Sequence, residues 1–215
     1  TERSLVYLFS LMSVASATDH AVSLSASHSA AESQAAASWE LRTDSGIQIG
    51  LRGRAGQVHA VYLDGWPVSD GVALSGAGML TLPLIHTDSV LLDLRTESGL
   101  RWLNATETTA PQSTNVVGLF QIGPVATMPV TDRFAAQLGW SALLNQQLSP
   151  TLTSDSIGQV LIGGGAIALT EDLQLSALAE TGGLFGYDGD GAKYLLRGTV
   201  GIRWMPDQAN HWFNL

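Results

Sequence analysis

The chain has 215 residues, a formal net charge of −9, 45% hydrophobic residues and only 13% charged residues. That charge content is about half the ~25% of an ordinary soluble domain, and an acidic balance excludes a nucleic-acid partner, which needs a basic face. With no cysteine, a disulfide scaffold, a thiolate metal site and a cysteine nucleophile are excluded as well.

The first segment reads as an export signal. Arg3 supplies positive charge, Ser4 to Met12 form a short apolar run, and Ala15-Ser16-Ala17 offers the small-x-small pattern of a cleavage site. Cleavage after Ala17 is expected, which makes residues 1–17 a signal peptide and 18–215 a single domain. The run is well short of the ~20 residues that a spanning helix needs.

Beyond Thr18 the dominant pattern is alternation with a period of two, the signature of strands. Early instances are Ile47/Ile49/Leu51 against Gln48/Gly50/Arg52, and Val90/Leu92/Leu94 against Asp93/Arg95. Asp44-Ser45-Gly46 and Glu97-Ser98-Gly99 read as tight, glycine-ended hairpin links. Farther on, Phe134, Ala136, Leu138, Trp140, Ala142 and Leu144 form one face, opposed by Ala135, Gln137, Gly139, Ser141, Leu143 and Asn145. Brief links at Pro129–Asp132 and Thr170–Asp172 alternate with longer ones at Thr106–Thr114, Gln146–Ser156 and Gly182–Gly191. The last long run sets Tyr194, Leu196, Gly198, Val200, Ile202 and Trp204 against Lys193, Leu195, Arg197, Thr199, Gly201 and Arg203. A short tail, 205–215, follows.

Strands are expected to start near Ala21, Ala36, Ile47, Gln57, Val72, Ser89, Leu100, Asn115, Arg133, Ile157, Leu173 and Ala192. The expected fold is therefore all-β: an up-and-down antiparallel transmembrane β-barrel of about 12 strands, within a range of 8–12. Alternation alone leaves two opposite objects open, because a soluble barrel buries its apolar face and a membrane barrel turns that face outward. Charge placement favours the second. Arg42, Arg52, Arg95, Arg101, Arg197 and Arg203 fall within strands opposite the apolar stripe, whereas most acids, Asp70, Asp88 and Glu97 among them, fall in links. Lysine, the usual solubilising residue of outward strand faces, occurs only at Lys193.

On these residues the chain resembles the bacterial outer-membrane β-barrel class. Lys193–Trp204, with alternating apolar residues, interior glycines and a closing aromatic, is similar to that class's C-terminal assembly signal. The resemblance implies residence in the outer membrane, contact with its lipid, and recognition of the last strand by the barrel-assembly machinery. Class members usually end on that aromatic, and here Met205-Pro206 and the tail follow it. Trp66, Trp102 and Trp204 are expected near periplasmic strand ends, with Trp39 and Trp140 in mid-strand.

The expected lumen-lining set is Arg42, Arg52, Arg95, Arg101, Arg197 and Arg203 with the acids Glu40, Asp93 and Glu180. An arginine-lined lumen would favour a small anionic solute; alternatively, the same acids pair with the arginines and plug a narrow, structural barrel. Asp188-Gly189-Asp190-Gly191 lacks the further ligands of a calcium loop. The five histidines show no metal-ligand spacing, so neither a metal nor a cofactor is expected. His59 with Asp64 and His86 with Asp88 place no nucleophile–base–orienter set, and a non-enzymatic barrel is the leading expectation. Two alternatives accompany it. One is a secreted soluble β-barrel around a small apolar ligand, which requires Leu138, Trp140 and Ile202 to point inward. The other is a barrel-embedded lipid hydrolase, which requires a serine and a histidine to converge at one rim.

Overall fold

The computed structural model describes residues 17–59, 61–63, 66–108, 114–149, 155–185 and 193–205. The strands are β1 (Ala17–Ser29), β2 (Glu32–Thr43), β3 (Gln48–Val58), β4 (Val61–Leu63), β5 (Trp66–His86), β6 (Leu91–Thr108), β7 (Thr114–Thr131), β8 (Phe134–Ser149), β9 (Asp155–Ala168), β10 (Leu173–Phe185) and β11 (Lys193–Trp204). Each long strand pairs antiparallel with its sequence neighbours, β3 passes directly to β5, and β1 pairs with β11. The sheet therefore closes as a ten-stranded up-and-down barrel, with β4 a three-residue stub on the start of β5. Closure removes the unpaired edges that an open sheet would expose to lipid.

Two runs expected as separate strands, near Ser89 and Leu100, are one strand, β6. Glu97-Ser98-Gly99 is not a turn: Glu97 pairs with Met79 on one side and Gln121 on the other. Pairing on both sides overrides the local turn chemistry. Gly99 is needed there because a Cβ at that position would run into the backbone of Gly76 and Ala77. Likewise, Ile47 and Gln57 belong to the neighbourhood of a single strand, β3. Asp70 and Glu97 accordingly lie in strands rather than links. The link at Asp44-Ser45-Gly46 is a turn as expected. Gly46 holds φ = 81°, its N–H donates to Thr43 O at 2.9 Å, and the Thr43 and Ser45 hydroxyls lie 2.8 Å apart.

Strand direction sorts the links onto two rims. One rim carries the short connections 44–47, 87–90, 132–133 and 169–172 together with the start of β1 and the end of β11. The other carries the two-residue link 30–31 and the connections 59–65, 109–113, 150–154 and 186–192. Merging the two runs of β6 reverses the expected direction of the preceding strands. Trp66 therefore opens β5 at the long-link rim, and Trp102 lies in the half of β6 nearer that rim; only Trp204 ends at the short-turn rim. Met205 follows, buried, with its N–H donating to Asp172 O at 2.8 Å. The expected signal segment lies outside the described residues except for Ala17, which opens β1; residues 186–192, with the Asp188–Gly191 motif, and the tail beyond Met205 also lie outside them.

The two faces of the sheet are inverted relative to a water-soluble barrel. Leu138, Trp140 and Ile202 are 61%, 42% and 49% exposed on the convex side. This overturns the expectation of a soluble barrel with those residues in its core. The buried side chains on the opposite face are small or polar: Ala135, Ser38, Ser141, Asn115, Thr127 and Gln174. The buried apolar cluster is correspondingly small, Val58, Ala73, Leu103 and Ala105.

Candidate functional site

Period-two alternation that turns leucine outward turns arginine inward, and the register decides which arginines meet. Leu51 is exposed on β3, so its neighbours Arg52 and Arg54 project to the inner face. Glu97 of β6 also projects inward, one strand beyond β5. It accepts Arg52 Nη1 at 2.9 Å and pairs with Arg54 Nη2 as well. One carboxylate thus serves two guanidiniums, a sharing that bidentate geometry permits. Glu97 carries no expectation of a site role from the sequence, having been read as a turn residue, and Arg54 shares the face of Arg52 two residues away.

Toward the long-link rim, Arg101 Nη2 of β6 reaches Glu32 Oε2 of β2 at 2.9 Å. β3 and β5 lie between those strands, so this pair crosses part of the interior. Toward the short-turn rim, Arg203 Nη2 of β11 meets Glu40 Oε2 of β2 at 2.8 Å. Asp19, Glu40, Arg42, Gln48 and Arg203 line one small cavity there. His86 Nε2 lies 2.9 Å from Asp93 Oδ1, in place of the sequence-suggested partner Asp88, and Arg95 stands 3.9 Å from the other Asp93 oxygen. Arg197 is 3.7 Å from Glu180, its direct cross-strand neighbour.

The structure therefore brings Arg52, Arg95, Arg101, Arg197 and Arg203 each to a carboxylate and places Arg42 in the rim cavity. Glu32, Glu97 and Arg54 join the group without having been singled out, and His86 joins it through Asp93 rather than Asp88. The contacts differ in tightness. Arg101–Glu32 and Arg203–Glu40 have hydrogen-bonding distances, whereas Arg95 and Arg197 are held loosely. The side chains of Arg95 and Arg52 are the more open ones, 41% and 32% exposed on the inner face of a closed sheet. Among the described residues no group of three or more His, Cys, Asp or Glu is arranged to hold a metal ion.

No protein-family model matches the chain, and no curated protein matches it. Among solved structures, the translocator domain of the autotransporter NalP from Neisseria meningitidis is similar at a TM-score of 0.51 and 12% identity, over 94% of this chain and 95% of that one. The fold is that of a bacterial outer-membrane β-barrel. The outer-membrane-expressed OmpT of Vibrio cholerae aligns at a TM-score of 0.40 and 13% identity, covering 82% of this chain. This chain spans only 57% of the length of that protein. The β domain of the Bordetella autotransporter BrkA aligns at a TM-score of 0.43 and 12% identity, over 88% of this chain and 99% of that one. At such identities the likeness concerns the fold. The apolar convex face is the surface that a barrel of this fold turns to lipid.

Proposed function

We propose that this outer-membrane barrel is a narrow water-filled pore for small solutes, that its arginines give it a preference for anions, and that its interior performs no catalysis. The observation that carries the reading is the exposure of Arg95 and Arg52 on the inner face of a closed sheet, where the accessible space is the lumen. A guanidinium 3.7–3.9 Å from its carboxylate keeps donors available to a passing anion. In the confined low-dielectric surroundings of a pore, those charges act on a permeating ion more strongly than they would in bulk water.

A second reading is favoured by a different contact. Arg101–Glu32, stretched from β6 to β2, narrows the bore and suits a barrel whose interior is structural. Planar-bilayer recording of the purified protein separates the two. The pore reading expects anion-selective currents, and Arg95→Glu with Arg197→Glu should reverse the selectivity. Cation-selective wild-type currents would contradict the anion preference, and no conductance from folded protein would favour the structural barrel. We also propose that β11, which closes the sheet against β1, carries the assembly signal. Trp204→Ala should then lower the folded yield in cells without altering refolding in detergent.

A further inference from the structure

The outer face of β1–β3 holds an arrangement that the pore does not use. The two-residue link 30–31 sets His28 of β1 directly opposite Ser33 of β2. Ser29 fixes that link, its hydroxyl accepting Glu32 N–H at 3.1 Å. His59 follows β3 and is held by its own N–H, which donates to Ala31 O at 2.8 Å. The result is one hydroxyl between two imidazoles: Ser33 Oγ lies 2.8 Å from His28 Nδ1 and 3.0 Å from His59 Nε2.

The surface leading to this serine is built of small residues. Ala35 and Ala37 continue outward from Ser33 along β2, and the register sets Ala26 of β1 and Ala55 and Gly53 of β3 beside them, all exposed. The same row is flanked by Val200 on β11 and Leu74 on β5, both exposed and standing above the alanines. Trp39 closes the far end, six residues or about 20 Å along the strand from Ser33. A trough of small side chains, walled by larger ones, thus runs along the lipid-facing surface and ends at a hydroxyl between two histidines.

We propose that Ser33 is the nucleophile of an acyl-ester hydrolase site on the lipid-facing side of the barrel, with His59 as general base and the alanine–glycine trough as the seat of the acyl chain. The substrate class is a fatty-acyl ester presented by lipid of the leaflet at the long-link rim. With the Ser33 hydroxyl donating to His59 Nε2, Oγ is free to accept from His28 Nδ1–H. As Oγ bonds to the ester carbonyl carbon, His59 Nε2 takes the hydroxyl proton and the carbonyl electron pair moves onto oxygen. His28 Nδ1–H is then a donor beside the oxygen on which charge develops. Collapse breaks the bond to the leaving alkoxide, which takes the proton from His59. Water, deprotonated by the same imidazole, attacks the acyl-Ser33, and the carboxylic acid leaves as Oγ regains its proton.

The test uses the full chain folded in detergent micelles, a fluorescently tagged fluorophosphonate and p-nitrophenyl octanoate. The expected result is a single adduct on Ser33 by peptide mapping, with release of p-nitrophenolate. Ser33→Ala should lose both signals, and His59→Ala should slow release by about 10²- to 10⁴-fold. Heat-modifiable gel migration of each variant should match that of wild type. Arg95→Glu with Arg197→Glu, which alters the pore, should leave labelling unchanged. A folded wild-type barrel that is not labelled and releases no more p-nitrophenolate than Ser33→Ala would overturn the proposal, as would an adduct on a different serine.

Discussion

Two arcs of the same barrel wall solve the inner surface in opposite ways. From β11 through β1, β2, β3 and β5 to β6, the inner face is threaded with arginine–carboxylate pairs. Across β7, β8 and β9 the only charged residue is Asp155, at the start of β9. There the inner positions include Gly123, Val125 and Thr127, then Ala135, Gln137 and Ser141, then Gly158 and Val160, with the larger Leu119, Leu143 and Ile162 among them. The difference shows what each wall is built for. A charged inner wall needs partners within a side chain's reach and so couples strands that are not adjacent. Small residues in a neutral wall let neighbouring strands curl closely together, as at Gly123, where a Cβ would meet the carbonyl of Trp140. In the proposed pore the field is asymmetric, and anions are expected to follow the charged arc.

The largest expected effect breaks the contrast from outside. Leu161→Arg, on the exposed face of β9, should cost roughly 2–4 kcal/mol of folding stability in a bilayer. Gln137→Arg, on the inner face of adjacent β8, should fold normally and raise anion selectivity. Denaturant titration in lipid vesicles followed by tryptophan fluorescence compares the two. Removal of the shared carboxylate comes next. Glu97→Ala leaves Arg52 and Arg54 side by side without their partner and should lower stability by roughly 2–3 kcal/mol, since hydrogen bonds to charged groups are among the stronger ones. The same titration would contradict that account if Glu97→Ala were neutral. In the neutral arc, Gly123→Ala should cost roughly 1–3 kcal/mol through overpacking between β7 and β8. The smallest effect is at Glu180→Gln. Its 3.7 Å contact with Arg197 is part-exposed, so stability should change by less than about 1 kcal/mol while anion selectivity rises.

The two arcs were not equally legible in the sequence. The alternation over Phe134–Asn145 fixes which residues of β8 share a face, since nothing interrupts the period of two. The charged arc misleads at Glu97-Ser98-Gly99, where an acid, a serine and a glycine mimic a turn within a strand paired on both sides. That link read in place of strand, with the run near Gln57 that belongs to β3, accounts for the higher strand count and for the displaced Trp66 and Trp102. The inward arginines are visible from parity, but their partners are not. Arg52 and Glu97 are 45 residues apart and Arg101 and Glu32 are 69 apart, and the stagger that joins them is a property of barrel closure. The Ser33 cluster escapes for the same reason: His59 lies 26 residues from Ser33 and reaches it only through the β2–β3 register.

The inversion of the two faces underlies the whole account, and Trp140 reports on it directly. A variant with Trp140 as its sole tryptophan, reconstituted in vesicles of brominated-chain phosphatidylcholine, should lose most of its fluorescence relative to unbrominated vesicles. Undiminished fluorescence from folded protein, with the chain soluble in the absence of detergent, would contradict a lipid-facing convex surface.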